Sequence, residues 1–121
     1  MPHVSKIKLA PRLEKELLDN LEIVLAKLSK QQMDTFLLSL FSDTERLMFG
    51  KRLAMAIMIK EGLKDAQISQ TLRVTRVTIT RMRAFLKSRG QGYSLALQKL
   101  SEEKPYKEFR KFLLRSARPT K

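Results

Sequence analysis

Apolar residues in this chain recur at helical intervals, and no stretch of useful length alternates as a strand would. Leu13, Leu17, Leu21, Val24, Leu25 and Leu28 follow steps of four, four, three, one and three. Such steps place them on one stripe of a helix, and the spacing predicts a first helix over residues 11–28. Ser29 with Gln32 has the pattern of a capping box. The helix it opens carries Met33, Phe36, Leu37, Leu40 and Phe41 and is expected to end near Phe41. Ser42 with Glu45 repeats the box for a third helix, and residues 47–59 are so apolar that this helix is expected to be buried around most of its circumference. Glu61-Gly62 stops it, because Gly is the usual residue after a helix C-terminus. Two short helices fit residues 65–73 and 75 to about 87, with Asp65 and Thr75 as N-caps. A loop is expected over residues 88–92, then a sixth helix over 93–100 with Leu95, Ala96 and Leu100 inward. Pro105 opens a last helix, whose Phe109, Phe112 and Leu113 form an apolar stripe among Lys107, Arg110, Lys111, Arg115 and Arg118. The fold class is all-α.

A chain of 121 residues has the length of one domain. Its expected parts are dimerisation helices over 1–62, a helix-turn-helix over 63–88 and C-terminal helices over 89–121. With no Cys, disulfides, Cys-ligated zinc, iron–sulfur clusters and thiol catalysis are excluded. The one histidine, His3, lies among the first residues, and the Ser and Asp residues sit at helix caps, so no enzyme, metal or cofactor is expected. The longest apolar run, residues 53–59, is too short to cross a bilayer, and no signal peptide is evident. The expectation is a soluble protein without a membrane partner, cytoplasmic in a bacterium.

Charge divides the chain. Lys and Arg outnumber Asp and Glu by 25 to 12, a formal net charge of +13 that points to a polyanionic partner. The first fifty residues hold seven of each sign and cancel, and no acid occurs between Ala66 and Ser101. The polyanion site is therefore expected in the second half.

Within that half, residues 65–84 match the twenty-residue helix-turn-helix pattern. Ile68, Leu72, Val74, Ile79 and Met82 occupy the positions that must be apolar, and Ser69 the position that must be small where the helices cross. Arg73 stands where the turn usually has a left-handed Gly, a cost of about 1 kcal/mol if the same backbone is kept. With Ile79 and Met82 inward, Thr75, Arg76, Val77, Thr80, Arg81 and Ala84 face outward. Arg76 suits a bidentate contact to guanine, Val77 a thymine methyl, Thr75 a base edge, and Thr80 a base edge or a phosphate. Arg73, Arg81, Arg83, Lys87 and Arg89 suit phosphates.

The stretch Phe41-Ser42-Asp43-Thr44-Glu45-Arg46, then Gly50-Lys51-Arg52-Leu53, Gly62 and Val77-Thr78-Ile79-Thr80-Arg81 resembles the Trp repressor family. Gly90-Gln91-Gly92-Tyr93-Ser94-Leu95-Ala96-Leu97 resembles its Trp-repressor-related branch. The resemblance spans about residues 10–100 and implies an intertwined, all-helical homodimer whose two helix-turn-helix units enter successive major grooves of a palindromic operator in double-stranded DNA. The neutral, Leu-rich first half suits a dimer surface. In the tryptophan-binding members the indole lies between two arginines, which correspond here to Arg52 and Arg81, and Ser42 matches a threonine of that pocket. A glycine and a serine that leave room for the ring are replaced by Met82 and Phe85, so the pocket is expected to be filled and tryptophan is not expected as corepressor. Residues 101–121 fall outside the resemblance and read as a capping helix with a solvated basic face, an added DNA-contacting or membrane-touching helix being the alternatives.

The expected function is a homodimeric, sequence-specific transcriptional repressor. A basic module that docks on RNA or on an acidic protein is the alternative; an RNA binder more often exposes aromatics for stacking, whereas here Phe and Tyr fall on the apolar stripes. Promoter binding within a larger complex, as in sigma-factor-like modules, uses the same motif.

Overall fold

The computed structural model describes residues 7–117, which form seven α-helices and no strand. His3 and Arg118, singled out above, lie outside the described residues. The helices are α1 (Pro11–Lys27), α2 (Lys30–Leu40), α3 (Asp43–Lys60), α4 (Asp65–Leu72), α5 (Arg76–Arg89), α6 (Gln91–Ser101) and α7 (Lys104–Ser116). The chain divides into two compact units, residues 1–47 and 48–121. The boundary falls inside α3 rather than after residue 62, because the second half of α3 is core for everything that follows.

Local chemistry sets the ends of the helices. Ser29 Oγ accepts from the Gln32 N–H at 3.2 Å while Gln32 Oε1 accepts from the Ser29 N–H at 2.9 Å. Ser42 and Glu45 make the same reciprocal pair at 3.1 and 2.8 Å. The bond from the Ser42 backbone, followed by that with its side chain, holds the Glu45 carboxyl below its ordinary pKa. Gly62 ends α3 with φ +81°, the Gly62 N–H reaching the Ile59 carbonyl and the Leu63 N–H the Met58 carbonyl, which is a Schellman arrangement. Between α5 and α6 the expected loop shrinks to one residue, Gly90, because α5 continues to Arg89 and α6 starts at Gln91. Any Cβ at Gly90 would run into the Leu86 carbonyl, so the two helices meet this closely only through glycine.

The first unit has no buried residue in α1 or α2. Leu13, Leu17, Leu18, Leu21 and Leu38 remain between 38% and 55% exposed, an apolar surface that the isolated chain does not cover. The second unit holds the core. Ala54, Met55, Ala56, Ile57 and Met58 are all buried, and five consecutive helical positions cover every side of α3. Against them pack Ile68 of α4, Ile79 and Met82 of α5, Leu97 of α6, Leu113 of α7 and Ala117 just after it. The expected burial of the third helix therefore holds only for its second half, since Leu47 is 61% and Phe49 38% exposed.

α7 differs from its expected stripe. Leu113 is buried, but Phe109 and Phe112 are exposed, and the inner face is completed by Tyr106 and Ala117. Arg110, grouped with the solvated cations by its sequence position, instead donates to both carboxylate oxygens of Glu61 at 2.6 and 2.7 Å. This fork-to-fork bond lowers the pKa of Glu61 and raises that of Arg110.

At the helix-turn-helix corner Arg73 has φ +56° and ψ +51°, so the left-handed turn is kept without glycine. Its N–H bonds the Ser69 carbonyl at 2.9 Å, and the Ser69 hydroxyl donates to the Val74 carbonyl at 2.7 Å. Ser69 thus closes the turn as well as leaving room for the crossing. Arg73→Gly is expected to stabilise the chain by about 1 kcal/mol or less, relief of the left-handed strain being partly offset by the added freedom of the unfolded chain. A lower midpoint in urea unfolding would refute the strain.

Candidate nucleic-acid interface

The sequence folds α5 so that one face is core and the other is bare. Thr75 is its N-cap, its hydroxyl accepting from the Thr78 N–H at 3.1 Å and lying 2.9 Å from the Thr78 hydroxyl. Ile79 and Met82 point inward, and Arg76, Val77, Thr80, Arg81 and Ala84 are exposed, Val77 at 59%. These positions share a face, because residues four and eight apart lie one above the other on a helix. The free N–H groups and the positive end of the helix dipole lie at Arg76, where they favour a phosphate. Thr75, expected among the base readers, has its hydroxyl engaged in the cap.

Arg83, expected among the phosphate-binding residues, turns back on the fold: Nε and Nη2 donate to Asp65 Oδ1 at 2.9 and 2.7 Å, and Nη2 also to the Leu63 carbonyl at 3.2 Å. Asp65 correspondingly is not the N-cap of α4. Lys64 holds that position, with its N–H bonded by Gln67 Oε1 at 2.9 Å, and Asp65 is the first helical residue. The pair ties the start of α4 to the middle of α5. The signal for it was present, since Asp65 is the one carboxylate in the twenty-residue motif and a partly buried acid requires a partner.

Lys87 and Arg89 are exposed on the last turns of α5, where cations also suit the negative end of the dipole. The Arg89 guanidinium lies 5.9 Å from the centre of the Phe85 ring, within cation–π range.

Beside α5 lies an open cleft of about 680 Å³, lined by Met48, Lys51, Arg52 and Met55 of α3, Arg73, Val74 and Thr75 of the turn, Thr78, Arg81, Met82 and Phe85 of α5, and Tyr93 of α6. Four of the expected pocket residues, Arg52, Arg81, Met82 and Phe85, come together here. The fifth, Ser42, is not among the lining residues, and its hydroxyl caps α3. Met82 and Phe85 line the cleft without closing it. Met82 is only 8% exposed because it packs into the core, and Phe85 is drawn edge-on to Tyr93, with ring centres 6.2 Å apart and planes at 87°. What remains open is apolar at its floor and cationic at its rim, with Lys51, Arg52, Arg73 and Arg81 and no carboxylate in the lining. Lys51 and Arg73 were not foreseen there, because their approach depends on how α3 meets the turn.

Among the described residues there is no cluster of His, Asp or Glu that could hold a metal ion, and no helix is long and apolar enough to cross a membrane.

The geometry predicts that Arg83→Ala lowers the thermal unfolding midpoint whereas Lys87→Ala leaves it unchanged, since only the first breaks a tie between elements. Equal midpoints for both variants would show that the Asp65 pair contributes nothing measurable.

Comparison with known proteins adds one finding. The family model described as Trp repressor protein matches residues 15–101, most of the chain, including the helix-turn-helix and all of α6. No individual curated protein and no solved structure matches.

Proposed function

This chain belongs to the Trp repressor protein family, a family of DNA-binding transcriptional regulators, and from that premise we propose that it is a sequence-specific repressor acting as a homodimer on a palindromic operator. The observation that carries the reading is the exposed face of α5, where Arg76, Val77 and Thr80 stand at the start of a helix whose opposite face is core. A helix presented by its N-terminal residues suits the major groove. Arg76 and Thr80 supply hydrogen bonds to base edges and Val77 an apolar contact to a thymine methyl. Arg73, Arg81, Lys87 and Arg89 serve the phosphates. Thr75, through its cap, holds the first turn in place for these contacts.

The dimer is supported by the uncovered leucines of α1 and α2, which need a partner surface. Light scattering at micromolar concentration is expected to give about twice the 14.1 kDa chain mass, and the unfolding midpoint is expected to rise with protein concentration. A monomer that keeps its full helicity would rule the dimer out.

On duplex DNA, Arg76→Ala and Thr80→Ala are expected to relax sequence preference, at about 1–3 kcal/mol for a lost bidentate contact. Lys87→Ala and Arg89→Ala are expected to weaken all sequences alike and to reduce the log–log salt slope by about 0.9 per phosphate released. Identical behaviour of the two groups on selected and random duplexes would show that the face is assigned wrongly.

We also read the protein as working without tryptophan. Met82 ties α5 to the core and Phe85 leans on Tyr93 at the side of the cleft, so the helix keeps its tilt unaided although the cleft itself is open. The cationic rim of the cleft then suits phosphates or an anionic ligand. Calorimetry with millimolar L-tryptophan is expected to show no binding heat and no change in operator affinity; saturable binding that tightens DNA affinity would overturn this.

A further inference from the structure

α7 lies beyond the residues matched by the family model and carries a row of cations that the proposed operator contacts do not use. Lys104, Lys107, Lys111 and Arg115 are spaced by three, four and four residues, so they line one side of the helix over about 16 Å. All four are exposed, and none forms an ion pair among the described residues. Glu108 borders the row and is the one acid within α7. Like charges in a row repel and do not stabilise the helix that carries them.

The opposite side of α7 is fastened to the unit at three places. Leu113 and Ala117 are each 4% exposed in the core, Arg110 forks onto Glu61, and Gln67 Nε2 donates to the Ala117 carbonyl at 3.1 Å. The last contact decides the placement. Gln67 is the third residue of α4, the first helix of the helix-turn-helix, and in this motif the first helix crosses the DNA backbone while the second enters the groove. The C-terminal end of α7 is thus held at the element that comes nearest the phosphates outside the groove.

We propose that Lys104, Lys107, Lys111 and Arg115 form a second phosphate-binding surface, which engages duplex DNA flanking the base pairs read by α5. The proposal rests on the DNA-binding reading above and extends the contacted site outward. Charge complementarity supports it, because duplex DNA presents a negative charge about every 1.7 Å of its axis, and a rigid row of cations neutralises several at once. A bilayer is disfavoured as the occupant: an interfacial helix buries a continuous apolar face in lipid, and here Leu113 and Ala117 are already in the core, which leaves Phe109 and Phe112 as the exposed large apolar side chains of α7.

The test uses the full chain with Lys107→Gln, Lys111→Gln and Arg115→Gln combined, beside the parent and Arg76→Ala. Binding is measured against salt on a duplex selected from a random pool, on the same duplex with trimmed flanks, and on a fixed mixed-sequence duplex. The triple variant is expected to keep the parent's helicity, unfolding midpoint and sequence preference. If two of its cations reach phosphates, its salt slope falls by about 1.8 per protomer on the long duplexes, and trimming the flanks removes the difference from the parent. Arg76→Ala is expected to lose preference while keeping its sensitivity to the flanks. Equal slopes for parent and triple variant, with the parent binding its selected duplex specifically, overturn the second surface and leave the operator reading standing. A parent that binds no duplex overturns both. Unchanged DNA slopes together with loss of binding to phosphatidylserine vesicles in the triple variant overturn the proposal in favour of a membrane contact.

Discussion

Everything in the second unit depends on the burial of five consecutive residues of α3. A helix lying on a surface buries a stripe, but residues 54–58 are buried on all sides, so α4, α5, α6 and α7 must surround that segment. The small Ala54 and Ala56 let neighbours approach closely, and the flexible Met55 and Met58 fill what irregular space is left. α5 is the helix whose orientation matters for recognition, and it is set by Ile79 and Met82 lying on this segment. Its outer face is what remains once the inner face has been fixed.

The electrostatics follow from where the few acids go. Glu61 and Asp65 are the last carboxylates before the acid-free stretch, and both are held by arginines, Glu61 by Arg110 and Asp65 by Arg83. Each pair links distant elements, the end of α3 to α7 and the start of α4 to α5. These acids therefore orient helices, and of the cations of α5 only Arg83 is neutralised by one of them. The outward field of the unit stays positive because residues 51–121 hold 18 Lys and Arg against five Asp and Glu, an excess that the two ion pairs leave unchanged and that suits the drawing in of a polyanion.

Much was legible before any coordinates. The helices and several of their ends follow from short-range chemistry: the Ser29–Gln32 and Ser42–Glu45 boxes, Gly62, the Thr75 cap and Pro105 all act within a few residues of themselves. The helix-turn-helix was legible for the same reason, since its apolar positions at 68, 72, 74, 79 and 82 are a local packing pattern. The sequence is silent where a residue chooses between solvent and a partner far along the chain. Arg83 and Arg110 belong to basic clusters by position, yet both fold back on carboxylates 18 and 49 residues away. The loop expected over residues 88–92 contracted because Gly90 permits a close helix-to-helix approach that composition alone does not reveal.

The cleft beside α5 shows the same division. The types of side chain that line it were evident, and replacement of small residues by Met82 and Phe85 suggested a filled space. Only tertiary packing determined that Met82 goes into the core and Phe85 leans on Tyr93, leaving the space between open. By itself the sequence determined the helical class, the helix ends, the motif and the separation of charge into a neutral first half and a basic second half, because each arises from intervals of a few residues or from simple counts. Which arginines hold the fold together and which remain free to meet an anion was decided only in three dimensions. A guanidinium goes where a carboxylate is brought within hydrogen-bonding distance, and that distance is set by how the helices pack around α3.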